Sequence, residues 1–207
     1  MSHVEMVESG ENLKALLFLT LGTKYFNLVF NSLGETVKSG NPHIVSSDTE
    51  ETIWDNYFEK TKWSDFMIIE PILFNFYHGL ELFLKGLLLL CSQDNVKAQH
   101  GLLNLFKQID PIDSIAKDVK EIIREHLVIS ENDTFLYTFL KENNASIDQL
   151  YEALRYPSDK SFQNLNSYIS LHYKEDGVIE YFKKIMQDIK TIQKFGVAFY
   201  RNKGVGV

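Results

Sequence analysis

The chain has 207 residues, 44% hydrophobic and 24% charged, with a net charge of −7. This balance excludes a disordered chain and allows one domain with a sizeable core. One cysteine, Cys91, excludes an internal disulfide framework and a cysteine-rich zinc site, and it fits a reducing, cytoplasmic setting. A net negative charge repels polyanions, so any nucleic-acid contact must be local or built by an assembly.

Residues 1–11 carry acidic groups and no apolar run, so no secretory signal is expected there. Ser9 can cap a first helix from about Glu11 to Val37, with Leu13, Leu16, Leu17, Leu21 and Leu28 as its apolar stripe. Residues 39–47, with Gly40 and Pro42, read as a loop. Asp48 or Thr49 can cap a short helix through Trp54 and Phe58, and Ser64 starts the next. That next segment, Phe66 to Cys91, is almost wholly apolar and reads as a central buried helix. Pro71 lies inside it, which predicts a kink or a later start.

Residues 92–98 connect to a short helix from Gly101 to about Ile109, stopped by Pro111. Val119, Ile122, Ile123 and Leu127 are spaced for a helix over 115–128. Two further helical pieces cover 134–140 and 147–156, the second ended by Pro157. Residues 158–176 alternate polar and apolar side chains around Tyr168 to Tyr173, as a short strand or an extended loop would. The last helix, from Gly177 to about Arg201, has a seam of Val178, Phe182, Ile185, Ile189, Ile192, Gly196 and Phe199. Few prolines and glycines, and no repeat, place all of this in an all-α bundle.

A thin polar line, Asn75, His78, Glu81 and Lys85, runs along the central helix within about a third of its circumference. The same line interrupts the apolar run and argues against a membrane span. Glu81 and Lys85 stand at i and i+4 in the favourable order. The line is either a solvated stripe or one wall of a polar pocket. Arg155, Tyr156 and Pro157 end a helix, where a cation suits the helix dipole. A guanidinium there can also grip a phosphate or carboxylate in bidentate fashion, with Tyr151 one turn earlier able to stack on it. His100, just before a short helix, suits either a surface role or acid–base work.

Lys183, Lys190, Lys194 and Arg201 line up on the outer face of the last helix. They form an ordinary basic face or a track for a phosphate backbone. No Gly-rich phosphate loop, dinucleotide fingerprint, His-Glu-x-x-His, nucleophile elbow or metal-loop spacing occurs, so no metal or cofactor is expected.

Three pieces in order carry a resemblance: Phe76-Tyr-His-Gly-Leu-Glu-Leu-Phe-Leu-Lys85, His100-Gly-Leu-Leu-Asn-Leu-Phe106 and Leu154-Arg-Tyr-Pro157. Together they resemble HEPN domains, over roughly residues 66–201. The resemblance implies an up-and-down helical bundle over 64–207, with residues 1–63 as an N-terminal helical extension packing on it. It also implies a homodimer, with RNA, a nucleotide or a protein partner as ligand, in a toxin–antitoxin, defence or RNA-processing setting. RNase members share an Arg followed after four to six residues by His. Here Arg155 is followed through Phe162 by no histidine. Only Arg155 carries over, with Glu81 as its orienting carboxylate; catalysis would need His78 or His100 instead. Three readings follow: an RNA- or nucleotide-binding protein with catalysis lost or altered, a non-catalytic partner-binding bundle, and an RNase with a non-standard site.

Overall fold

Helical periodicity decides almost every element. The computed structural model describes residues 3–43, 53–91, 101–131, 134–158, 161–173 and 177–203. The helices are α1 (His3–Ser39), α2 (Ile53–Thr61), α3 (Asp65–Cys91), α4 (Leu102–Ile109), α5 (Lys117–Leu127), α6 (Thr134–Glu142), α7 (Ile147–Ala153) and α8 (Val178–Asn202). A 3-10 turn spans Ile169–Leu171. The fold is an all-α bundle. Among the described residues the alternation around Tyr168 makes no strand; it gives the 3-10 turn, and Ser158 and Leu165 form an isolated antiparallel bridge.

Several boundaries differ from expectation for local reasons. α1 passes through Ser9, so that residue lies inside the helix rather than capping it. Gly40, at φ +76°, takes the left-handed conformation that ends α1, and its N–H bonds the Thr36 carbonyl. α3 runs unbroken past Pro71, and the Asn75 side-chain amide donates back to the Pro71 carbonyl at 2.6 Å. The helix therefore starts early. α7 begins with a reciprocal capping box between Ser146 and Gln149 but stops at Ala153, two residues short of Arg155. The cap expected at Asp48 or Thr49 and the 92–98 connector lie outside the described residues.

The chain divides into two compact units. The first comprises Met1–Asn27, Phe76–Val128 and Asp188–Val207. Its core turns on small residues. An added Cβ at Gly22 would lie 3.0 Å from the Gly79 carbonyl oxygen, and one at Gly86 would lie 2.7 Å from Leu19. One at Gly196 would meet the Phe83 ring at 2.6 Å. Glycine is what lets α1 and α8 press this closely on α3. Phe26 fills the space between, with its ring 6.0 Å from Phe76 and 6.1 Å from Phe83.

That packing overturns the expected stripe of α1. Leu13, Leu16, Leu17, Leu21 and Leu28 are all exposed, and Leu17 is 60% so. The buried face is Ala15, Leu19, Gly22, Phe26 and, further along, Val29 and Leu33. The face that carries Gly22 is the one turned inward, and these five leucines are left outside. The seam of α8 is buried as expected, from Val178 to Phe199.

The second unit comprises Leu28–Asn75 and Ile129–Gln187. Phe139 and Leu136 on α6 are fully buried, and the Phe139 ring stacks on Tyr168 beside the 3-10 turn. Phe135 packs on Phe182 of α8. Two stretches, 12–39 and 54–91, are apolar and long enough to cross a membrane by length and composition. Most of the second, 72% of its window, is buried within the fold, against 28% for the first.

Two substitutions check the close packing. Gly86→Val should cost about 1–3 kcal/mol in urea unfolding, because Leu19 leaves no room for a side chain. Gly34→Ala, whose Cβ would meet only the tip of Met186 at 3.7 Å, should instead stabilise by up to about 1 kcal/mol.

Candidate functional site

The polar line on α3 is a built feature of the first unit. Glu81 is buried, with a side chain 7% exposed, and it accepts from Lys85 Nζ at 2.7 Å. His78 Nδ1 lies 3.7 Å from the other carboxylate oxygen. Tyr25 of α1 meets the His78 ring edge-on, with centroids 4.6 Å apart. Three groups of the expected set are thus gathered on a partly buried strip. Asn75, in the other unit, is spent on the Pro71 carbonyl.

Arg155 belongs to the second unit. Its Nη2 donates to the Tyr156 hydroxyl at 3.1 Å, and the guanidinium lies 5.0 Å from that ring and 6.0 Å from Phe74. Tyr151 stacks on Phe74 at 5.1 Å, so Phe74 stands at the centre of this aromatic group. Arg155 and Tyr156 are both exposed. Glu81 and Arg155 fall in different units, each with the partners just named. His100 lies outside the described residues.

The basic line of α8 divides in the same way. Lys183 pairs with Glu180 at 2.6 Å in the second unit. Lys190, Lys194 and Arg201 line a groove of about 570 Å³ in the first, together with Thr23 and Asn27 of α1. Gln193 crosses that groove, donating to Asn27 Oδ1 at 2.9 Å and to the Thr23 carbonyl at 3.3 Å. The result is three cations beside two amides.

Histidine–carboxylate pairs are what the sequence reading missed. In the first unit, buried His126 bonds Asp188 at 2.8 Å, and its ring meets Phe76 edge-on at 4.8 Å. Both residues interrupt apolar seams, three positions after Ile123 and Ile185, and that spacing was the available signal. In the second unit His172 bonds Glu70 at 2.6 Å. There too Asp65, wholly buried at the start of α3, accepts from Asn41 Nδ2 at 3.2 Å and from the Tyr173 N–H at 3.1 Å. Asn41 Oδ1 in turn accepts the Asp65 N–H at 2.7 Å. His43 completes this group, with Nδ1 3.6 Å from Asp65 and Nε2 3.3 Å from the Asn41 amide. No local pattern could announce partners so distant along the chain.

Burial pushes the Cys91 thiol above the ordinary range, more than Lys203 and Ser114 pull it down. Among the described residues no group of three or more His, Cys, Asp or Glu could hold a metal ion. Comparisons with family models, with curated proteins and with solved structures find no match for the chain.

Glu81→Ala should destabilise the fold by about 3–5 kcal/mol in urea titration, since it strips the carboxylate from a partly buried ammonium. Glu59→Ala, which breaks the exposed Glu59–Lys62 pair, should cost less than about 1 kcal/mol. Equal losses would make Glu81 an ordinary surface residue.

Proposed function

We propose that this chain is a HEPN-like protein that binds RNA or a nucleotide as a cytoplasmic homodimer, with cleavage lost or altered. Its setting is a prokaryotic toxin–antitoxin, defence or RNA-processing system. The observation that carries this reading is the groove with Lys190, Lys194 and Arg201 on a chain whose net charge is −7. Against that acidic background a local run of cations is the feature that a phosphate backbone would find. The Gln193 and Asn27 amides add groups suited to sugar and phosphate oxygens. The His78–Glu81–Lys85 strip and the Arg155 guanidinium are the further polar contacts this reading uses.

Loss or alteration of cleavage is supported by the sequence around Arg155, which has no histidine in the four-to-six-residue window. An RNase with a non-standard site would have to recruit His78 or His100 as its proton-transfer group, so this reading ranks third.

A second reading, the non-catalytic partner-binding bundle, is favoured by α1. Leu13, Leu16, Leu17 and Leu21 form an exposed apolar face on one helix, the kind of surface a protein partner or second subunit covers. Replacing Leu17 and Leu21 by Asp should abolish self-association in sedimentation velocity if that face is the contact. A sedimentation coefficient unchanged by the replacements would remove this support.

Binding of a single-stranded RNA oligonucleotide, followed by fluorescence anisotropy across a salt series, tests the main reading. Lys190→Ala, Lys194→Ala and Arg201→Ala together should lower the slope of log K against log salt by about 2, because each lost phosphate contact on a single strand removes about 0.7. Affinity at low salt should fall at least about tenfold. RNA affinity that is independent of salt, or unaffected by the three changes, would sink the proposal.

A further inference from the structure

The exposed face of α1 in the first unit is apolar and basic at once. Leu13, Leu16, Leu17 and Leu21 are exposed there, from 37% to 60%. Lys14 and Lys24 are exposed on the same turns. At the helical step per residue, the leucines and Lys24 fall within about 140° of the circumference, with Lys24 near the middle and Lys14 just beyond one edge. Residues 12–27 hold no Asp or Glu; the nearest acids along α1 are Glu11 and Glu35.

The groove beside α8 continues this surface. Thr23 and Asn27, which line it, follow Leu16 and Thr20 at steps of three and four, so all of them share one edge of α1. On the α8 side Val197 is 53% exposed, between Lys194 and Arg201. Residues 189–203 also hold no acid, and their cations are Lys190, Lys194, Arg201 and Lys203. A phosphate backbone would use these cations and leave the leucines wet. A protein chain would cover the leucines but strip water from Lys24 in their midst. A lipid–water boundary accepts both. Leucines enter the acyl region, while the long stem of a lysine lets its ammonium reach the headgroups. Because the whole chain carries −7, an anionic surface repels most of it and attracts this local basic face.

We propose that this face of the first unit docks on an anionic membrane surface, with Leu13, Leu16, Leu17 and Leu21 at the acyl boundary and Lys14 and Lys24 at the headgroups. α1 lies along the surface rather than across it, since its other face, with Ala15, Leu19 and Phe26, is spent on the fold. The leucines carry this proposal and the groove cations carry the RNA reading, so each is tested by its own substitutions.

Co-sedimentation of the full chain with vesicles of phosphatidylcholine and phosphatidylglycerol in equal parts, beside vesicles of phosphatidylcholine alone, tests it. Binding to the mixed vesicles should be saturable and weakened by salt, and affinity for the neutral ones should be lower by at least about tenfold. Leu17→Gln with Leu21→Gln should lower affinity for the mixed vesicles by at least about tenfold. Both side chains are exposed, so the thermal midpoint and the RNA anisotropy titration should match the parent. Lys14→Gln with Lys24→Gln should cost about tenfold on the mixed vesicles and much less on the neutral ones. The proposal is overturned if the mixed vesicles capture no protein, or if the leucine pair binds them as the parent does. It is also overturned if the parent is a dimer without lipid that the leucine pair converts to a monomer, which would give the face to a second copy of the chain.

Discussion

The contact between α1 and α3 is so close that only glycine fits it. An added Cβ would lie 3.0 Å from the Gly79 carbonyl oxygen at Gly22, tighter than ordinary contact, and at Gly86 it would collide with Leu19 at 2.7 Å. Interiors are packed as densely as crystals, so a close approach at a few points constrains the rotation of the whole helix. Here it turns Ala15, Leu19 and Phe26 inward and leaves Leu13, Leu16, Leu17, Leu21 and Leu28 outside. It also brings Tyr25 against the His78 ring, at the head of the polar strip. The position of that strip is therefore a consequence of where the glycines stand.

Charge is handled by one recurring device. His43, His78, His126 and His172 each lie within 4 Å of a carboxylate oxygen, from Asp65, Glu81, Asp188 and Glu70 in turn. Such pairs orient an imidazole, and the buried ones satisfy groups that would be costly alone. Lys190, Lys194 and Arg201 line an open groove.

Much of the fold was legible because helical spacing reports burial directly when the neighbours are of ordinary size. The α8 seam, the apolar α3 and the Glu81–Lys85 pair all followed from spacing alone. α1 did not, because counting leucines ranks faces by hydrophobicity, whereas the face turned inward is the one that carries Gly22 at the close approach. The candidate site was legible in part. His78, Glu81 and Lys85 are neighbours on one helix and come together through local geometry. The Asp188 partner of His126 is 62 residues away and the Glu70 partner of His172 is 102 away, so only tertiary structure reveals them. The place of Phe74 in the ring group beside Arg155 was not legible for a similar reason, since Phe74 comes from α3.

Asp65 joins three stretches of the second unit. Its carboxylate holds Asn41, 24 residues before it, and the Tyr173 backbone, 108 residues after it. Neither stretch can peel away without costing that buried carboxylate a hydrogen bond, which couples their fraying. That end of the unit should open as one cooperative piece, so the amide protons of Asp65 and Tyr173 exchange with solvent on a common clock.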